Sequence, residues 1–358
     1  MGLTIRTMIK SVLLCVIVSF NISKTDCILT SESRANENCP YSKKVVLEVS
    51  GSGLGNRLLS IISTSLLSTF LERELELTWN SHPACPTNWT KLFVSPPSLN
   101  YQKATPNATL KTRCFLELSQ KNSFRDFRVI QDEKLMALVN NKCEIIHIRS
   151  NQFFAPMVLH KLLHLHNPVV LHSYYHSLAN CLFRPRMEYL MRAEEVIKRF
   201  EGQKYLSIHA RSYYDDGKNT KKVLDCAKRF LEDGHIKYVY IATDNLKFQQ
   251  MATTIIGEKR LVLTKKELLP LDRNGENETW DMRQDMTSAM VEWLVIGKAD
   301  YCMSSTMFRS TFSQTAIGFG TCHYIHMHNC ESANLFMKKR TTPHIPHMHI
   351  MQYINGNG

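Results

Sequence analysis

Lys44-Val45-Val46-Leu47-Glu48-Val49-Ser50-Gly51-Ser52-Gly53-Leu54-Gly55-Asn56-Arg57 opens the folded part of this 358-residue chain and decides its class. Val45–Val49 is a short apolar run of strand type. After the glycines, Leu58, Leu59, Ile61, Ile62, Leu66, Leu67 and Phe70 recur at helical spacing as far as Leu71. Strand, glycine turn and helix make the opening of a βα unit. A backbone stripped of side chains and leading into a helix N-terminus presents free N–H groups and a partial positive charge, a cradle for a phosphate. It is not a P-loop, because no Lys-Ser/Thr follows. It is not a dinucleotide fingerprint either, because Asn56 stands where the third glycine belongs. The same glycines also fit a tight βα turn that needs them for conformation alone. Asn56 and Arg57 favour the cradle, since both donate hydrogen bonds to phosphate or hydroxyl oxygens.

Working outward, Leu75–Trp79 is a second candidate strand and Glu144–Ile148 a third. Between them Pro83–Pro106 holds five prolines and one sequon, with a second just after it at Asn107, and reads as an exposed, disulfide-pinned loop. The alternation resumes after Arg184-Pro185. Tyr205–His209 is strand-like, Lys222–Glu232 helical, Lys237–Ala242 and Arg260–Leu263 strand-like, Asp285–Lys298 an amphipathic helix, and Tyr301–Ser304 a last strand before another helix. Strands alternating with helices predict parallel sheets, with ligands at the strand C-terminal edges. The expected class is α/β, with two Rossmann-like domains facing a cleft: residues 44–184 and 185–330, then an irregular tail over 331–358.

Three further constellations fall at predicted strand ends. His209 and Arg211 share one face of a strand, and Asp215 and Asp216 follow. Arg211 is placed either to fork onto a diphosphate or to pair with those acids. Asp244, after the next strand, reads a ribose or caps a helix, or both. Glu292, then Ala299-Asp300 with Ser304-Ser305-Thr306, Ser310, Thr311 and Phe312, offers a hydroxyl-rich loop entering a helix. N-capping accounts for one of those hydroxyls but not the group.

The N-terminus predicts a compartment. Arg6 and Lys10 precede an apolar run, Val12–Phe20, and a polar segment follows. That is the pattern of a secretory signal, as a cleaved peptide or a short signal anchor over residues 1–26, with a stem over 27–43. Of eleven cysteines, ten lie beyond that run, dispersed and without a C-x-x-C pair, which suits disulfides rather than metal ligation. Sequons at Asn88, Asn107 and Asn277, with a fourth at Asn21, are candidate glycosylation sites. The net charge of +12 comes without basic arms, so nucleic acid is not an expected partner.

Taken in order, Gly53-Leu54-Gly55-Asn56-Arg57-Leu58-Leu59-Ser60, Ile208-His209-Ala210-Arg211, Ala242-Thr243-Asp244 and Ala299-Asp300 through Ser310-Thr311-Phe312 resemble one family. They are similar to the GDP-fucose-dependent transferases sharing the α1,2-, α1,6- and protein O-fucosyltransferase fold. The first block resembles the plant xyloglucan α1,2-fucosyltransferases most. The resemblance spans about residues 44–325 and implies a GT-B architecture, inversion at the anomeric carbon, GDP-fucose as donor, a glycan or glycoprotein acceptor, and no metal or other cofactor. By the same resemblance Gly53, Gly55, Asn56 and Arg57 face the sugar-phosphate. Arg211 binds the β-phosphate beside His209, and Glu292 reads guanine. Ser305, Ser310, Thr311 and Phe312 line the phosphate pocket. Arg211, Asp215 and Asp216 are the catalytic candidates. The chain departs from the pattern at Ser212, which replaces a second arginine, and at Asp215, displaced by one position. Those departures keep a secreted non-catalytic glycan- or nucleotide-binding module as the alternative, and the Golgi or endoplasmic reticulum lumen is the expected location of either.

Overall fold

The computed structural model describes residues 43–49, 53–82, 85–96, 99–102, 113–118, 143–150, 158, 176–210, 218–243, 245–263, 286–304 and 311–325. Two five-stranded parallel sheets carry it. The first contains β1 (Lys44–Val49), β2 (Glu74–Trp79), β4 (Asn100–Gln102), β5 (Arg113–Leu118) and β6 (Ile145–Ser150), in the order β4-β2-β1-β6-β5. The second contains β8 (Tyr205–Ala210), β9 (Tyr238–Thr243), β10 (Leu261–Leu263), β11 (Tyr301–Ser304) and β12 (His323–Tyr324), in the order β10-β9-β8-β11-β12. A small antiparallel pair joins β3 (Phe93–Val94), which falls between β2 and β4 in sequence, to β7 (Arg184–Pro185), which falls between β6 and β8. The mixed α/β class with parallel sheets is as the sequence predicts.

Alternation decides β1. Val45, Leu47 and Val49 are fully buried, while Lys44, Val46 and Glu48 are half-buried on the other face. Against the buried face lies α1 (Leu54–Phe70), of whose residues only Asn56, Thr69 and Phe70 reach solvent. A helix buried on nearly every side must satisfy its polar side chains internally. The Ser60, Ser63, Thr64 and Thr69 hydroxyls do so by donating to the carbonyls of Asn56, Leu59, Ser60 and Ser65, at 2.8–3.0 Å. In the second sheet β8 is buried along its whole length, as befits a central parallel strand covered on both faces.

Two expectations change. The Pro83–Pro106 stretch is not simply an exposed loop. It contains a short helix, α2 (Trp89–Leu92), and Trp89, Leu92 and Phe93 are at most 1% exposed, inside an aromatic cluster with Trp79 and Phe183. Proline spacing hides this, because the aromatics have no helical or strand period. Nor is the segment pinned at Cys85, which is a free buried thiol. Likewise α6 (Thr287–Gly297) is not amphipathic: Met290–Gly297 are all buried. It lies under the second sheet, with α3 (Met187–Lys198) and α7 (Thr311–Phe319) packed against it and Lys298 ion-paired to Glu194. One apolar core therefore runs from beneath the first sheet through α7 and α6 to one face of the second. A separate core fills the opposite face, beneath α4 (Lys218–Glu232) and α5 (Leu246–Ile256).

Candidate active site

The N-termini of α1 and α7 meet. A Cβ built on Gly55 would stand 2.5 Å from the Phe312 nitrogen and 2.5 Å from the Thr311 carbonyl carbon, closer than any real side chain comes. Glycine is needed at 55 for this approach and not for a left-handed turn, since the positive-φ glycines described are Gly202, Gly234 and Gly257. At Gly53, φ −70° and ψ 170° is extended backbone that any residue adopts. The sequence left a conformational turn and an anion cradle open; at Gly55 the requirement is proximity between two chain segments. Each helix N-terminus leaves backbone N–H groups without intrahelical partners and carries partial positive charge. Bringing two together without an anion is electrostatically unfavourable, and an anion placed there relieves it.

Four contacts orient α7. The Trp293 indole of α6 donates to Thr315 Oγ1 at 3.0 Å, and that hydroxyl donates to the Phe312 carbonyl at 2.9 Å. At the other end, Gly320 lies so close to Gly297 that a Cβ would overlap the Gly297 carbonyl. Asn180, in the helical residues 176–182, donates to the Phe319 carbonyl at 3.1 Å. Finally the Cys302–Cys322 disulfide closes the segment from β11 through α7 into a loop.

His209, the next-to-last residue of β8, is 6% exposed, with its ring centroid 5.2 Å from that of Phe312. The structure thus brings Gly55, Thr311, Phe312 and His209 to one place, the C-terminal edge of the second sheet beside the first turn of α1. Glu292 is a buried carboxyl-bearing side chain in the middle of α6. Gly53 and Asn56 belong to the same first turn as Gly55.

Arg57 sits differently from its expected place. It is 0% exposed, its guanidinium lies 4.6 Å over the Trp79 ring, and its Nη1 donates to the Asn80 carbonyl at 2.7 Å. Burial pushes its pKa below the ordinary arginine value, and the Cys85 thiol pulls weakly the other way. As placed, it faces the interior of the first half. Asp300, quoted among the motif residues, accepts from the Tyr205 backbone N–H at 3.1 Å, at the start of β8 and so at the edge away from the site. The cap of α5 is the Asn245 side chain, accepting from Phe248 N at 3.2 Å. Arg211, Asp215, Asp216, Asp244, Ser305 and Ser310 lie outside the described residues, as do Asn107 and Asn277. Asn88 is exposed and precedes α2. Among the described residues no cluster of histidine, cysteine and acid side chains has the geometry of a metal site.

Two parallel-sheet units with glycine- and hydroxyl-bearing helix N-termini between them define a fold of the α/β class. No protein-family model and no curated protein matches the chain by sequence. Solved structures do match in fold. A mutant of FUT1 from Arabidopsis thaliana in complex with GDP aligns with a TM-score of 0.54 and 15% identity, over 79% of this chain and 69% of that one. NodZ α-1,6-fucosyltransferase soaked with GDP-fucose aligns with a TM-score of 0.52 and 12% identity, over 78% of this chain and 93% of that one. NodZ from Bradyrhizobium in selenomethionine form gives 0.51 and 11%, over 77% and 91%. The chain has the fold these fucosyltransferase structures share, as the sequence motifs imply.

Proposed function

We propose that the chain is an inverting glycosyltransferase of the secretory lumen, moving fucose from GDP-fucose to a hydroxyl of a glycan or glycoprotein. The observation that carries the reading is the backbone-to-backbone meeting of α1 and α7 at Gly55 and Thr311–Phe312, a two-dipole anion site beside His209. The fold neighbours support it, because they are structures containing GDP or GDP-fucose.

In this reading the donor diphosphate sits at the paired helix N-termini and the guanine is read by Glu292. The acceptor hydroxyl attacks the anomeric carbon from the first half, and the C–O bond to the diphosphate breaks. Negative charge grows on the departing β-phosphate, where preorganised N–H groups and Arg211 stabilise it more in the transition state than in the ground state. Asp215 and Asp216 are the candidate acceptors of the hydroxyl proton. No metal is assigned a role, since the arginine and the helix dipoles supply the positive charge.

The test is thermal stabilisation of the chain from Cys27 onward by GDP, UDP, ADP and CMP, in the presence of a chelator. Only a ligand of the folded state raises its stability. A shift with GDP, lost in Arg211→Ala while that variant keeps its fold, supports the donor site, and GDP-fucose turnover then supports transfer. Normal turnover in Arg211→Ala removes that residue from the mechanism. GDP binding without transfer to any acceptor makes the protein a binding module, the alternative that Ser212 motivates.

A further inference from the structure

Arg57 is held at considerable cost. It is fully buried at the start of a helix, where the dipole opposes a cation and burial opposes any charge. Methionine or leucine would fill the same volume without either penalty. What those residues lack is a planar fork that binds a carbonyl while stacking on an indole. Two contacts of that fork lie at the C-terminal end of β2: the Trp79 ring at 4.6 Å and the Asn80 carbonyl at 2.7 Å.

That strand end is itself anchored. The Asn80 backbone N–H donates to the Val49 carbonyl at 3.2 Å, and Asn80 Nδ2 donates to Glu48 Oε1 at 3.1 Å. Glu48 Oε2 in turn accepts from Arg149 Nη2 at 3.0 Å. Three neighbouring strands, β2, β1 and β6, are joined at their C-terminal edge by this chain of bonds. Arg57 connects it to α1.

Gly55 and Arg57 are two residues apart, about 200° around the helix, on opposite sides of its first turn. One side touches the Thr311–Phe312 backbone, and the other is clamped to the first sheet. We propose that Arg57 is a positioning residue: it fixes the first turn of α1, and with it the amides that face the donor diphosphate, between the edge of the first sheet and α7. This rests on the reading of that junction as the donor site. It assigns Arg57 a part that involves no contact with the donor.

The experiment uses GDP as probe, so that an unidentified acceptor does not matter. Arg57→Lys keeps the charge without the fork, and Arg57→Met keeps the bulk without the charge. Both are measured at a temperature where circular dichroism shows them fully folded, because a residue that only stabilised the fold would leave the affinity of folded molecules unchanged. The expected result is GDP dissociation constants at least tenfold above wild type in both variants. Guanidinium ion at millimolar concentration, below the denaturing range, is expected to restore part of the affinity in Arg57→Ala. Wild-type affinity in folded Arg57→Met and Arg57→Lys overturns the proposal while leaving the donor site intact. Failure of the wild-type chain to bind GDP overturns the donor site, and the positioning role falls with it.

Discussion

At the scale of single residues, the junction rests on atoms that are absent. Gly55→Ala would drive a methyl group into the Thr311–Phe312 backbone, which has no flexible side chain to yield. Overpacking of this kind costs about 1–3 kcal/mol, so denaturant unfolding should show a loss of that size, with weaker GDP binding in calorimetry. Unchanged stability and affinity would mean the two helices do not pack this way. Cys85 carries a different prediction. Burial pushes its thiol up to about 11 from an ordinary 9.0, with the Arg57 guanidinium drawing it down. Between those values the unfolded chain loses a proton that the folded chain keeps. Stability is therefore fully present below about pH 9 and falls as the pH rises towards 11, by about 2–3 kcal/mol from this one group. The buried Tyr205 and Tyr324 phenols are raised as well and steepen the fall. Cys85→Ala should flatten the pH dependence of the denaturant midpoint in that window. An unaltered slope would show that Cys85 does not titrate with folding. Residue types and spacing located the glycine turn, His209 and the Thr311–Phe312 segment. They could not show that Arg57 turns inward, because an arginine beside a phosphate-binding turn reads the same way in sequence whether it faces ligand or core.

At the scale of elements, strands and helices with a clear period were legible to within a few residues, the helix expected at Lys222–Glu232 starting at Lys218. Tyr301–Ser304 is a strand with the expected bounds, and the helix after the glycine turn runs Leu54–Phe70 where the spacing placed it at Asn56–Leu71. The aromatic stretch around Trp89 was not legible, since its burial comes from contacts with Trp79 and Phe183, distant in sequence. Nor was the full burial of α6, which depends on what packs against each side. The element most exposed to perturbation is α7, because the Cys302–Cys322 disulfide encloses it. Closing a loop of this size stabilises a fold by about 3 kcal/mol in the chain-entropy account. Replacing both cysteines by alanine should lower stability by an amount of that order. It should also weaken GDP binding, because α7 presents the Thr311–Phe312 amides. Calorimetry on the folded variant separates the two effects, and intact affinity would mean the helix is held without the bond.

At the scale of the molecule, the two sheets were predictable from alternation, and their joint core was not. Periodicity reports which face of an element is buried, and says nothing of what lies against it. Only the packed structure shows one continuous apolar cluster reaching from Val45 and Leu47 to Trp293 and Ile317. The Gly55 contact carries a mechanical corollary. A hinge needs a seam that parts cheaply, and here the seam is main chain against main chain, continuous with that apolar cluster. Gaping apart of the two halves would tear the cluster open and expose oil to water. In the proposed reading the two halves then act as a fixed anvil for the donor. X-ray scattering with and without GDP should accordingly return the same radius of gyration, and a contraction of several ångströms on binding would reveal a hinge after all.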